Sequence, residues 1–264
     1  MKHLFFYILS LIPVQGMAWG GEGHRVVSVI AERYITEHTR YFIEYFFEEE
    51  SLVEFSTWLD EVRNQPDYRA TATWHWVTIE NGKTYKSSTR NKKGDIISAM
   101  LAVMLKRKYN RKDIDIICDI RVATHLIGDL HQPLHVSCCN DKGGRLLPVM
   151  WSNKNTNLHD VWDNDLIKSY KLSYSELAES LFPLSDKLYE EADNDVDFQN
   201  IYEWAEESIA FRNQIYSIGN GKLGNSYFQK NRALLERQLA IAGVRLAIFL
   251  NVYFKEFDAR NNHK

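Results

Sequence analysis

An all-α fold, a single domain of packed helices, is predicted by three features of the 264-residue sequence. Apolar residues recur at three- and four-residue steps through most of its length, the period of a helix with one buried face. Strand-like content is confined to one short run, Thr73 to Ile79. No low-complexity linker or internal repeat divides the chain, and 45% hydrophobic with 25% charged residues is the make-up of a globular soluble domain.

Residues 1–18 are set apart from that fold. Lys2 and His3 precede an apolar run from Leu4 to Val14, and Gly16-Met17-Ala18 closes it with small residues at the first and third places. This is the layout of a secretory signal peptide, and the run is too short to span a bilayer. The expected mature domain is therefore 19–264, beginning at Trp19, exported and without a membrane anchor. Along it, His24 to Tyr34 carries Val26, Val27, Val29, Ile30 and Ala31 on one broad face. Ile96–Leu105, Ile114–Leu130, Leu172–Ala192, Ile201–Ile218 and Phe228–Phe254 repeat the helical period. Asn81-Gly82 and the run from Asn140 to Asn157, with Gly143, Gly144 and Pro148, carry the chemistry of loops. Three cysteines, Cys118, Cys138 and Cys139, allow at most one intramolecular bridge, and the two neighbours are not expected to pair. The mature part holds no Asn-x-Ser/Thr sequon, which with export favours a bacterial periplasmic or secreted protein.

Histidine and aspartate carry the chemistry. His125 and Asp129 lie four apart in a helical stretch, which puts both side chains on one face. His159 and Asp163 repeat the spacing. His135 closes His131-Gln132-Pro133-Leu134-His135, where Pro133 is expected to end the helix. His75 stands between Trp74 and Trp76, Asp60 ends Thr57-Trp58-Leu59-Asp60, and His24 lies close to the new amino terminus. A lone histidine on an apolar face is ordinarily a hydrogen-bonded core residue, and a lone aspartate a cap or a solvated charge. Two pairs of one kind, each flanked by core-type residues, point instead to a metal centre, since imidazole and carboxylate are both zinc ligands.

Trp19-Gly-x-x-Gly-His24, the block from Thr124 to His135, and Asn157-Leu-His-x-x-Trp-Asp163 occur in that order. With them the sequence resembles the S1/P1 nuclease family, zinc-dependent enzymes that cut single-stranded nucleic acid. The resemblance runs from Trp19 to about Ile167. It implies a phospholipase C/P1 nuclease-like helical fold and three zinc ions held by Trp19, His24, Asp60, His75, His125, Asp129, His135, His159 and Asp163. Asp60, His75, His125 and Asp129 would hold one ion, and His135, His159 and Asp163 a second. The α-amino nitrogen and carbonyl oxygen of Trp19, with His24 and the bridging Asp129, would hold the third. Catalytic roles fall on Asp60, Arg63 and Asp129. Substrate contacts fall on Arg63 (phosphoryl oxygens), Trp76 (a stacked base), Thr78 (the base edge, where fungal members carry aspartate) and Asn157 (the scissile phosphate).

The implied reaction is endonucleolytic hydrolysis of single-stranded DNA or RNA to 5′-phosphate products, with 3′-nucleotides as further substrates and a monomer as the working form. A formal net charge of −3 means that local cations must attract a polyanion. The alternative among enzymes is a zinc-dependent phospholipase C, which shares the all-α trinuclear architecture and an N-terminal tryptophan. A non-catalytic periplasmic zinc-binding protein is the alternative outside enzymes, although His135, His159 and Asp163 offer three ligands and so an open fourth position.

Overall fold

The computed structural model describes residues 19–48, 50–106, 113–138 and 140–261, with side chains as far as 257. The expected signal peptide, 1–18, lies outside the described residues. So does Cys139, and with it the expectation about the neighbouring cysteines; Cys118 is a free thiol and Cys138 is disulfide-bonded.

The described chain is predominantly helical. It begins with α1 (Gly21–Tyr34), α2 (Glu37–Phe47), α3 (Leu52–Phe55) and α4 (Trp58–Val62). A 3-10 stretch, Pro66–Thr73, leads to strand β1 (Val77–Thr78), followed by α5 (Ile96–Lys106) and α6 (Asp113–Leu130). Then come strands β2 (Val136–Ser137), β3 (Pro148–Trp151) and β4 (Lys154–Asn157), and helix α7 (Leu158–Asp160). A π-helical turn, Val161–Asp165, joins α7 to α8 (Leu166–Lys168). Helices α9 (Tyr174–Glu191), α10 (Phe198–Ala210) and α11 (Arg212–Ile215), strand β5 (Lys222–Leu223) and α12 (Asn225–Asn261) complete it.

The core forms around α1, α6 and α12. Every residue of α12 from Gln238 to Leu250 is buried except Arg245, so this helix is enclosed on all sides. It packs against α1 and α9 on one flank and α6 and α2 on another. Gly243 lets α12 approach α1 closely: a Cβ there would lie 2.6 Å from Cβ of Ile30 and 2.8 Å from the Val27 carbonyl oxygen. Residues 122–130 of α6 are buried without a break, which carries His125 and Asp129 into the interior.

Two expectations about secondary structure are corrected. The 140–157 run holds a β-hairpin, not only loop: β3 and β4 pair antiparallel from Pro148↔Asn157 to Trp151↔Lys154. Ser152 and Asn153, with φ of 47° and 71°, make the two-residue turn whose twist suits a hairpin. The Ile201–Ile218 helix is two helices broken at Phe211. Helix α2 was not anticipated; Thr36 caps it by accepting from the Thr39 amide, and its buried face is aromatic (Phe46, Phe47).

Candidate metal centre

Short elements deliver the polar side chains to one place. His24 sits in the first turns of α1, Asp60 in α4, and His125 and Asp129 one turn apart on α6. His75 lies two residues before β1, and His135 directly precedes β2. Those strands pair in parallel, Val77↔Val136 and Thr78↔Ser137, which sets the two histidines side by side. Pro133 opens the 3-10 turn that ends on His135, so the chain turns where its ring sequence requires. His159 lies in α7 and Asp163 in the π-helical turn after it, the kind of helix distortion that recurs at functional sites.

Their atoms converge. His125 Nε2 and His75 Nδ1 lie 3.2 and 3.1 Å from Asp129 Oδ2, and Asp60 Oδ1 is 3.7 Å from His75 Nδ1. The other oxygen of Asp129 is 3.3 Å from His24 Nε2 and 3.4 Å from His135 Nδ1. Asp163 lies 3.0 Å from His159 Nε2 and 3.6 Å from His135 Nε2. Three groups, the first two sharing His125, could each hold a metal ion: His24, Asp60 and His125; His75, His125 and Asp129; His135, His159 and Asp163.

Hydrogen-bond accounting tests whether these residues fit metal ions. His24 Nε2, Asp60 Oδ2, His75 Nε2, Asp129 Oδ1, His135 Nε2, His159 Nε2 and Asp163 Oδ2 are buried without a hydrogen-bond partner. Leaving one such group unsatisfied costs about 1–3 kcal/mol, and more for a charge. So many at one spot, two pairs of them 3.0 and 3.3 Å apart yet aligned for no hydrogen bond, make a ligand set. The residues fit.

Burial and charge set the protonation of the metal-free protein. Burial, aided by His125, lowers the His24 pKa to about 4, so this ring is neutral and ready to ligate. Burial opposes charge on His125 too, but Asp129 and Asp60 outweigh it and raise the pKa to about 9. Burial would raise Asp129, yet His125 and His135 hold it well below the carboxylate range. His159 and His135 likewise depress Asp163 against its burial.

Outer partners fix the rings. His125, His135 and His159 each donate Nδ1–H to a backbone carbonyl, of Ser56 (2.8 Å), His75 (2.7 Å) and Gly143 (2.7 Å). Such bonds select the tautomer that offers Nε2 to a metal. Gln132 donates from Nε2 to Asp163 Oδ1 (2.6 Å) while its own Oε1 accepts from the Leu134 amide. Gly128 is small because a Cβ there would stand 2.8 Å from His24 Nδ1. His131, the remaining histidine of its block, points elsewhere: it bonds the Ile127 carbonyl and Arg245.

A cavity of about 640 Å³ opens beside the cluster, with His75, His135 and His159 in its wall. Arg63, Trp76 and Thr78 line it too. Arg63 bonds Asp60 Oδ1 at 2.9 Å, whereas Glu61 is engaged by Thr57. Trp76 is 40% exposed, so a face of its ring is open to the cavity that it lines. Thr78 shares a 2.9 Å hydrogen bond with Ser137. Trp19 is fully buried, and the amide of Gly20 bonds the Asp163 carbonyl at 2.7 Å, which ties the expected mature terminus to the centre. Asn157 is not among the cavity-lining residues; its amide group caps α7, accepting from the Asp160 amide and donating to its carboxylate. Sequence reasoning missed Gln132, although it lies inside a quoted motif, and missed Lys142 and Arg145 of the cavity wall, which belong to no periodic pattern.

Comparison with known proteins agrees with this geometry. The family model S1/P1 Nuclease matches residues 19–255. Endonuclease 4 of Arabidopsis thaliana is 29% identical over 280 residues, spanning 94% of this chain and 93% of its own. Nuclease S1 of Aspergillus oryzae is 23% identical over 265 residues, 89% of this chain and 91% of its own. Nuclease P1 of Penicillium citrinum is 24% identical over 263 residues, 88% and 97%. These matches set aside the phospholipase and storage-protein alternatives and make the protein a hydrolase of phosphoric ester bonds. With a family model covering most of its length and a buried His/Asp cluster in one cavity wall, the chain belongs to the S1/P1 nuclease family.

Proposed function

We propose that this protein is a three-zinc endonuclease that cuts single-stranded DNA and RNA to 5′-phosphate products and also removes phosphate from 3′-nucleotides. The observation that carries the reading is the set of buried, partnerless nitrogen and oxygen atoms facing one another beside an open cavity. Asp60, His75, His125 and Asp129 are proposed for one ion, and His135, His159 and Asp163 for a second. His24, Asp129 and the terminal amine and carbonyl of Trp19 are proposed for the third. Zinc held in this way supplies an acidified water at neutral pH and a Lewis acid for the departing oxygen.

The chain's own side chains do the rest. Arg63 directs a planar fork of donors at the phosphoryl oxygens. Asp60 accepts from that fork, so it orients the arginine while offering its second oxygen to the centre. Trp76 presents a ring face to a base, a contact worth about 1–3 kcal/mol that an unpaired strand can make and a duplex cannot. Thr78 offers a hydroxyl to the base edge. The role proposed for Asn157 is to hold the turn that carries His159, in keeping with its bonds to Asp160.

Export and cleavage after Ala18 belong to the same reading, with a secreted or periplasmic monomer as the product. Support comes from the family match beginning at Trp19, and no helix of the described residues is long and apolar enough to cross a membrane. The test uses protein purified with Trp19 as its first residue and supplied with zinc. Denatured DNA and RNA should be cut faster than duplex, with 5′-phosphate ends, and a chelator should abolish cutting. Failure to cut denatured DNA under those conditions would overturn the proposal.

A further inference from the structure

Two arginines line the cavity, each beside a different carboxylate of the centre. Arg63 stands at Asp60, which lies with His75 and His125. Arg145 stands at Asp163, which lies with His135 and His159. Asp129 reaches both sets, so the guanidinium groups mark the two ends of one row of ligands. Their engagement differs. Arg63 is hydrogen-bonded at 2.9 Å, but Arg145 approaches Asp163 only to 4.0 Å, too far for a hydrogen bond. Asp163 is already bonded by Gln132 on its other oxygen. Among the described residues the Arg145 guanidinium makes no hydrogen bond, and its side chain is 32% exposed.

Lys142, three residues earlier, lines the same cavity and has no ion pair among the described residues. Its backbone is left-handed, φ 55°, a conformation uncommon for a residue with a Cβ. The loop that carries both cations is fixed to the centre. The carbonyl of Gly143 accepts from His159, the Gly143 amide donates to Asp141, and the Leu158 amide donates to the Leu147 carbonyl. Two cations are thus mounted on the frame of a ligand, in a chain whose net charge is −3. A guanidinium in a cavity with its hydrogen-bond donors uncommitted suits a phosphate, which its fork binds through two oxygens.

We propose that Arg145, assisted by Lys142, binds a second phosphate of the substrate: the one on the 5′ side of the nucleoside that leaves. The proposal rests on the nuclease reading above. With the cut phosphate at the Arg63 end and the departing 3′ oxygen toward His135, His159 and Asp163, the next anion along the strand is that 5′ phosphate. The enzyme then favours chains that carry it.

The test compares a thymidine dinucleotide with one internal phosphodiester against the same dinucleotide bearing a 5′-terminal phosphate. For the wild type, kcat/KM is expected to be about tenfold higher with the extra phosphate, the scale of one charged hydrogen-bonded contact. In R145A that ratio should fall close to one, with R145K between. The salt dependence of cleavage of longer strands should lose about one unit of slope in R145A. If Arg145 acts only by steadying Asp163, both substrates slow by the same factor, zinc content drops and the ratio stays at its wild-type value, which overturns the proposal. Equal wild-type rates on the two substrates overturn it as well. A wild type that cuts neither would remove the nuclease reading, and this proposal with it.

Discussion

Asp129 is the residue on which the most geometry converges, since its two oxygens face four histidines between them. Replacing it with asparagine should reduce activity on denatured DNA by more than about 100-fold and lower bound zinc, because even outer-sphere groups cost 10–100-fold. Elemental analysis with a nuclease assay checks both. Gln132→Ala removes an outer partner of Asp163 and should fall within that 10–100-fold range, with the fold intact by circular dichroism. Protonation gives a third test. His125, with a pKa raised to about 9, is charged at pH 7 in the metal-free protein, and it must lose that proton to ligate. Metal binding at pH 7 should therefore release protons, and the release should fade as pH rises through about 9. Calorimetry in two buffers of different ionisation heat measures it; no release at pH 7 would contradict the assignment. The same shift has a stability sign: with a folded pKa above the ordinary 6.5, this group stabilises the metal-free fold fully below that value and loses the contribution as pH climbs through about 9. His125 with Asp129 and His159 with Asp163 were legible in the sequence because each pair repeats a helical spacing, whereas Trp19, His24, Asp60, His75 and His135 joined them through the resemblance to the family. Arg145 was not, since nothing in a loop's residue order says which way its cation faces.

At the scale of elements, small segments rather than long helices bring the ligands together. The parallel pair β1–β2 is only two residues on each side, yet it sets His75 next to His135. Gly143 is part of the same arrangement. Its φ of +63° is left-handed, and a Cβ would come within 2.3 Å of the Leu134 carbonyl oxygen. Gly143→Ala should cost at least about 1–2 kcal/mol from the backbone alone and should weaken activity by shifting the acceptor of His159. Thermal melting and the nuclease assay together test this, and an alanine variant of wild-type stability would count against it. Helix existence was readable from periodicity at α1, α5, α6, α9 and α12. The β3–β4 hairpin was not, because Ser152-Asn153 lacks the glycine that usually marks such a turn. The break at Phe211 was also hidden, since the apolar period continues across it; tertiary contacts decide it, among them Arg212 reaching the carbonyls of Val136 and Ser137.

For the molecule as a whole, the buried α12 supports α1, and α1 presents His24. Gly243→Ala forces these helices apart and should destabilise by about 1–3 kcal/mol, the usual range for overpacking. Metal removal should lower the melting temperature by about 5 °C or more, given stabilisation by a tightly bound ligand and the slope expected at this size. A chelator-insensitive melt would argue that the ligand groups do not bridge the fold. The three imidazole anchors lead to a last point: their acceptors, at Ser56, His75 and Gly143, are main-chain oxygens. Every amino acid supplies one. Substitution at Ser56 leaves its anchor in place, because the acceptor is not part of the side chain; at Gly143 a side chain has no room, so there a point mutation displaces the acceptor with the peptide. What disturbs these three anchors is movement of the peptide itself, by insertion, deletion, a misplaced proline or a bulkier residue at Gly143, so an engineer who wants the rings re-aimed has to recast loops.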